Sequence, residues 1–414
     1  MSISRREFIA ASTAAVLTPA PARARAVTPL SPALAQPQRF DPWVEVDPAA
    51  LAWNLGEVRR LSGRPVLAVV KNDAYGLGLA LTARVLEPMD GIAGFAVVRT
   101  AEAIALRDAG IRKPILLMAR VDERDVPELL ARDIELALFA DDDVARLATA
   151  AGASTRLPVH FYIDSGMGRM GIPYHRALPL VREVAARDTF VVRGTFTEFA
   201  EDAEFDREQL RRFHGLLDEA GRANLSLGRL HAASSNGIFH LPEAHLDLVR
   251  PGIALYGGYP SRPDEERTIA TLRSAVRLRA RVVRVERLRP GDSVSYGRHY
   301  IAERPVWVAT LPVGHSDGYP REAVEGARVR IGTALYPVIG AVSASHCIVE
   351  IGDEPAVRLG DVATFVGDED PAIHPNAVAA ATGVSVYDIF MHLNPGLPRI
   401  RTSTARAPSA RGSS

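Results

Sequence analysis

Arg64-Pro65-Val66-Leu67-Ala68-Val69-Val70-Lys71-Asn72-Asp73-Ala74-Tyr75-Gly76-Leu77-Gly78 joins an uninterrupted apolar run to a lysine and then to a glycine-rich turn. The run from Arg64 to Val70 has the length and β-branched content of a buried strand. Working outward, Phe95-Ala96-Val97-Val98 repeats the pattern, and Thr100 to Ala109 follows it with helical spacing, closed by Gly110. Pro114 to Met118, Pro158 to Ile163 and Val191 to Phe196 read as further strands, and the alternation continues to about Leu255. Strand after strand with intervening helices predicts a parallel (β/α)8 barrel of the TIM type. An open doubly wound sheet would carry a Gly-rich dinucleotide loop after its first strand, and none follows here. Lys71 therefore falls at the C-terminal mouth of the barrel, where sites of this architecture lie.

Past Gly257-Gly258 the texture changes. Residues 259–267 are rich in Pro and charge and read as a linker. Val276 to Val285, Val306 to Leu311, Ala327 to Ile331, Pro337 to Val342 and Val362 to Val366 are strands separated by turns such as Arg289-Pro290-Gly291-Asp292, with little helix before about Asn376. The expected organisation is a barrel over 43–268, a mainly β domain over 270–405 and a tail over 406–414.

Hydrophobic residues make up 47% of the 414, charged residues 24%, and Lys+Arg and Asp+Glu both total 49. A chain without net charge has no global field to draw in nucleic acid or an anionic membrane. Cys347 is the only cysteine, so no intrachain disulfide can form. At the N-terminus, Ser4-Arg5-Arg6-Glu7-Phe8-Ile9 is a twin-arginine pattern, followed by an apolar run to Leu17 and small-residue cleavage signals at Ala24-Arg25-Ala26 and Ala33-Leu34-Ala35. The run is too short to span a bilayer, so residues 1–35 read as an export signal and leader and the mature protein as periplasmic. Export by the twin-arginine machinery moves folded proteins, which suits a chain that needs no disulfide.

A lysine buried at a barrel mouth has its amine pKa lowered by desolvation, which favours Schiff-base chemistry. The segment Val69 to Gly78 resembles the cofactor-lysine motif of alanine racemases, a fold-type III pyridoxal-phosphate family. Trp43-Val44-Glu45-Val46-Asp47 with Leu51 and Asn54 is similar to the family's opening, and Asp164-Ser165-Gly166-Met167-Gly168-Arg169-Met170-Gly171 to its arginine-bearing loop. Val249-Arg250-Pro251-Gly252-Ile253-Ala254-Leu255-Tyr256-Gly257, Val294-Ser295-Tyr296-Gly297 and Gly314-His315-Ser316-Asp317-Gly318-Tyr319-Pro320-Arg321 continue the resemblance in order, over roughly Trp43 to Arg399.

The resemblance implies pyridoxal 5'-phosphate on Lys71, a homodimer with shared sites, and racemisation of a small amino acid by two bases. Lys71 would serve one face of the substrate Cα and Tyr296 of the partner subunit the other. Ser235, Gly252, Ile253 and Tyr387 would hold the phosphate, with Tyr75 nearby. Arg250 would face the pyridine nitrogen, and Arg169 would help place the cofactor's phenolic oxygen and the substrate carboxylate. Removing a proton from one face and returning one to the other requires two opposed acid/base groups.

Several positions depart from the family pattern. Tyr162 stands where many members have a lysine, often carbamylated, that steadies the loop arginine. Glu198 replaces a histidine beside the pyridine ring, Ser234 an asparagine, and His315 a tyrosine near the substrate channel. Ala344-Ser345 replace a Met-Asp pair lining the substrate entrance, so Ala344 bears on substrate binding and a substrate larger than alanine is accommodated if the backbone is kept. A carboxylate beside the catalytic tyrosine would disfavour its phenolate unless Arg250 neutralises it, so Glu198 and Arg250 are expected to pair and to tune the site. Two other readings use the same residues: a D-threonine aldolase or D-serine dehydratase chemistry, which needs a metal on His and Cys, and a repurposed, weakly active cofactor-binding homologue. His346 and Cys347 are adjacent on a strand and point to opposite faces, which argues against a shared metal.

Overall fold

The computed structural model of the chain describes residues 40–152 and 155–402. The expectations for the export signal (1–35) and the tail (406–414) lie outside the described residues.

Seven strands, Val66–Val69, Ile92–Val97, Ile115–Leu117, Ile134–Leu138, Leu157–Asp164, Phe190–Thr197 and Arg229–His231, pair in parallel in chain order. Their side chains are buried on both faces, which is why they read as continuous apolar runs. The ring closes through residues 247–251. Asp247 and Arg250 donate their amides to Leu230 and Ala233, while Leu67 and Val69 donate to Val249 and Pro251 on the other flank. This closing segment is too irregular to be a regular strand, yet it completes the expected barrel and delivers Arg250 to the interior. The helix Thr100–Asp108 follows its strand as expected. The stretch read as a linker contains a helix, Pro263–Ile269, which opens with Pro263, Asp264, Glu265 and Glu266, good first-turn residues.

The second sheet has nine strands in the order Arg284–Leu288, Val306–Leu311, Cys347–Gly352, Ala334–Ile339, Arg328–Ile331, Val362–Val366, Val276–Arg281, Trp43–Val46 and Arg399–Arg401. The long run Val276 to Val285 is thus two strands. Trp43–Val46, expected to open the barrel unit, pairs instead with Val276–Arg281 and Arg399–Arg401. Alternation explains the packing: Val276, Leu278 and Ala280 face the core, while Arg277 and Arg279 on the other face meet Asp47, Glu45 and Glu369. Trp43 is fully buried, a transfer gain of about 2–3 kcal/mol, and its indole donates to Glu45 at 2.9 Å. From there the chain enters the helix Pro48–Ser62, capped by Asp47, which accepts the amides of Ala49 and Ala50. The first strand therefore ties the second sheet to the barrel within twenty residues of chain.

Candidate active site at the barrel mouth

Lys71 follows the strand Val66–Val69 directly, and the backbone after it is unusual. Asn72, Asp73, Ala74 and Tyr75 all adopt left-handed conformations, with φ between 52 and 57°. Such a turn costs about 1–2 kcal/mol per residue for L-residues, so it persists only where the surroundings over-determine it. They do so here. Glu102, itself buried, accepts the amides of Asn72 (2.6 Å) and Val98 (3.3 Å). Asp73 accepts the amide of Leu79, and Arg399 donates twice to the carbonyl of Gly76. The helix Val386–Met391 of the second domain lies against the same turn, placing Tyr387 with its ring centroid 6.4 Å from Tyr75. None of Glu102, Asp73 or Arg399 was marked by the sequence. Their side chains act on backbone groups, and such contacts leave no spacing signature.

Burial lowers the Lys71 pKa from its ordinary value; Glu198 and Glu102 oppose the shift, while Arg169 and Arg250 add to it. A lysine so placed holds more of its amine neutral than an exposed one, as a nucleophile or base requires.

Arg250 is 2% exposed. It donates to the carbonyls of His231 (2.8 Å), Thr197 (2.7 Å) and Ala232 (3.1 Å), and Nη2 meets Glu198 Oε2 at 3.1 Å. The carboxylate expected near this arginine is thus its ion-pair partner, on a residue whose backbone is held by Gln209. Glu198 is only partly exposed, so the pair acts in a medium of reduced dielectric, where charges couple more strongly than in water.

Hydroxyl and amide donors converge on the other side of the lysine. Ser235 Oγ accepts the amides of Gly252 (3.0 Å) and Ala254 (3.2 Å). The Tyr75 hydroxyl stands over Gly252 so closely that a Cβ there would lie 2.2 Å from it; only glycine leaves the backbone open at this point. Burial pushes the phenols of Tyr75 and Tyr387 above their ordinary value, with Glu198 and Glu201 adding to it, so both remain neutral donors. A set of hydroxyls and backbone amides around a glycine backbone suits a phosphate. Lys71, at the start of the turn that ends in Tyr75, carries an amine that suits the aldehyde of pyridoxal phosphate. The residues present therefore fit that cofactor.

Arg169 sits on an exposed loop and reaches the buried Tyr162 hydroxyl. Burial and Glu198 raise the Tyr162 pKa, while Arg169 and Arg250 oppose the rise. Tyr162 stacks on Phe196 at 4.4 Å, and the guanidinium of Arg250 lies 5.2 Å from the same ring. Arg169 is thus steadied by a neutral phenol.

The chain brings Lys71, Tyr75, Arg169, Glu198, Ser235, Arg250, Gly252, Ile253 and Tyr387 to one end of the barrel. Tyr296 and Ala344 it leaves on the surface. Tyr296 is 77% exposed, at the tip of a turn in which Ser295, Gly297 and Arg298 all have positive φ. Ala344, Ser345 and His346 are exposed, whereas Cys347 is fully buried, so the neighbours His346 and Cys347 do not face a common point.

Residues 46–260 match the family model described as alanine racemase, N-terminal domain, and residues 275–401 the one described as alanine racemase, C-terminal domain. Alanine racemase 1 of Clostridium acetobutylicum is 32% identical over 366 residues, which cover 86% of this chain and 94% of the relative. The alanine racemase of Desulforamulus reducens is 34% identical, covering 86% and 98%. Among solved structures, alanine racemase of Clostridium difficile superposes with a TM-score of 0.81 at 26% identity, covering 88% of this chain and 97% of that one. Alanine racemase from Bacillus anthracis with bound L-Ala-P superposes with a TM-score of 0.80 at 27% identity, covering 89% and 97%.

Proposed function

The chain belongs to the alanine racemase family, and from that premise we propose that it interconverts L- and D-alanine, or a closely related amino acid, with pyridoxal 5'-phosphate. The observation that carries this reading is the desolvated Lys71 amine beside a donor set fit for a phosphate. Bound pyridoxal phosphate supplies the electron sink that makes the substrate Cα proton removable. Lys71 Nζ is the attachment point and exchanges a proton on one face of that carbon. Tyr75, Ser235, Gly252, Ile253 and Tyr387 hold the phosphate. Arg250 would face the pyridine nitrogen, and its pairing with Glu198 would set how much positive charge that nitrogen meets. Arg169, steadied by Tyr162, holds the substrate carboxylate.

The opposite face belongs to Tyr296 Oη of the partner subunit. Its exposure on a strained turn supports this reading, since a single chain offers it nothing to act on. The working form is then a homodimer with shared sites. Ala344 and Ser345 make the substrate entrance wider and less acidic than in the family pattern, favouring a broader substrate range. The twin-arginine pattern at Arg5-Arg6 supports a divergent, exported, periplasmic member. No helix among the described residues is long and apolar enough to cross a membrane.

The test is a purified protein with its visible spectrum, followed by L-to-D conversion over a panel of amino acids. Yellow protein that racemises alanine and larger amino acids is expected. Colourless protein, or no conversion of any amino acid, defeats the racemase reading, and strict alanine preference defeats the wider entrance. Cell fractionation with an Arg5→Lys, Arg6→Lys variant is expected to shift the protein from periplasm to cytoplasm; an unchanged distribution rules out this export route.

A further inference from the structure

Three side chains that none of the roles above employs lie in one file behind Arg250. Arg250 Nη1 is 3.0 Å from His231 Nδ1, His231 Nε2 is 3.1 Å from His160 Nδ1, and His160 Nε2 is 2.8 Å from Glu135 Oε2. Both rings are buried, and Glu135 is only partly exposed, with Arg193 3.9 Å away. The file runs through the barrel interior from the strand Ile134–Leu138, across Leu157–Asp164 and Arg229–His231, to the closing segment.

Only one placement of protons satisfies every link. A guanidinium donates and never accepts, so His231 Nδ1 must be the acceptor and His231 Nε2 must carry the proton. His160 Nδ1 then accepts, and His160 Nε2 donates to Glu135, a carboxylate that only accepts. A further proton on either imidazole would set two donors face to face at 3.1 Å or less. His231 is faced by Arg250, His160 and, further off, Arg229, and burial together with these neighbours pushes its pKa well below the ordinary value. His160 is faced by Glu135 and His231, with Phe196 edge-on to its ring and stacked on that of His231. The chain also makes room for the file. A Cβ at Gly194 would lie 2.6 Å from His160 Nδ1 and 2.9 Å from Cε1, so any side chain there displaces the ring from its bond to His231.

We infer that His160 and Glu135 are positioning residues for the racemase reaction, acting through His231 to hold the Arg250 guanidinium in one orientation at the site where the cofactor would bind. Buried polar groups of this kind are costly unless fully satisfied, and here the direction of every bond is dictated by an obligate donor at one end and an obligate acceptor at the other. Arg250 thus meets the site with one nitrogen committed to His231 and the other to Glu198. The kinetic part of this inference rests on the racemase reading; the proton placement does not.

The experiment uses the cofactor-loaded protein labelled with 15N-histidine. Both His160 and His231 are expected as Nε2–H tautomers with a bare Nδ1, and His231, whose pKa is pushed well below the ordinary value, is expected not to titrate between pH 6 and 8; an Nδ1–H form of either ring, or titration of His231 in that range, overturns the inference. His160→Phe keeps the ring shape and removes both bonds. It is expected to lower kcat about tenfold with little change in KM, and to shift the absorption of the bound cofactor. Glu135→Leu is expected to do the same, whereas Glu135→Gln, whose amide oxygen still accepts the proton, retains most of the activity. A racemising wild type whose His160→Phe variant keeps its kcat and its absorption defeats this inference alone. A wild type that racemises nothing defeats the functional reading, whatever the imidazoles do.

Discussion

Around Lys71 the chain's own atoms build the surroundings: a left-handed turn held by Glu102, Asp73 and Arg399, a depressed amine, and an arginine whose two Nη atoms are both committed. Around Tyr296 the chain supplies only a strained turn and solvent. Under the proposed two-base reading, the two proton-handling groups come from one sequence without either approaching the other in the same chain. A base inside the barrel is tuned by burial, which a single chain can provide. A base on the opposite face must come from outside the barrel mouth, and a projecting turn serves a second copy better than a long intrachain loop, whose ordering would cost entropy.

The largest expected effect breaks the Lys71 side. Lys71→Ala should abolish the visible absorbance of the bound cofactor and lower racemisation by about 10⁴-fold or more; spectrum and turnover of the purified variant check this. Tyr296→Phe should lower kcat by about 10²–10⁴-fold while leaving fold and absorbance intact. Mixing the two inactive variants sharpens the comparison. If the sites are shared, each heterodimer carries one intact Lys71–Tyr296 site, and random exchange in an isologous dimer should restore about a quarter of wild-type activity. No recovery after exchange places both groups in the same chain.

Glu198→His tests the floor between them. Glu198 raises the Lys71 pKa, so its removal should lower that pKa and move the rising limb of the kcat profile to lower pH, with about a tenfold loss of activity. An unchanged rate and pH profile would leave Glu198 without a tuning role.

The smallest effect concerns the second domain, away from both groups. His374 is buried and caps the helix Pro375–Thr382 by accepting the amide of Asn376. Burial lowers its pKa from 6.5 to about 4. The unfolded chain takes up a proton near pH 6.5 that the folded chain refuses until about pH 4. Stability is therefore full above 6.5 and falls between those values, by about 2–4 kcal/mol. His374→Ser retains a cap acceptor and should flatten the slope in urea titrations at pH 7 and pH 4.5; an equal slope in both proteins would exclude His374 as its source.

Much of the fold was legible because it rests on local pattern. Apolar runs buried on both faces announced the parallel strands, and the lysine after Val70 announced the mouth. What escaped reading depends on partners distant in sequence. Trp43–Val46 looks like any strand, and nothing in it shows that its neighbours are Val276–Arg281 and Arg399–Arg401. The helix Pro263–Ile269 was hidden by the same Pro and acidic residues that begin it. The closing segment at Val249 is held by bonds to both flanks and has little strand character of its own.

The same division holds at the site. Residue types and order by themselves determined the barrel, the second β domain, the lysine at the barrel mouth and the family, since these follow from periodicity and from motifs read along one chain. Only the tertiary structure decided that Glu198 faces Arg250, that Tyr162 steadies Arg169, that Glu102 locks the turn after Lys71, and that Glu135, His160 and His231 stand in file behind the arginine. Those relations depend on distance and direction between side chains up to a hundred and fifteen residues apart, from Glu135 to Arg250, and on the dryness of the space between them. Periodicity registers neither.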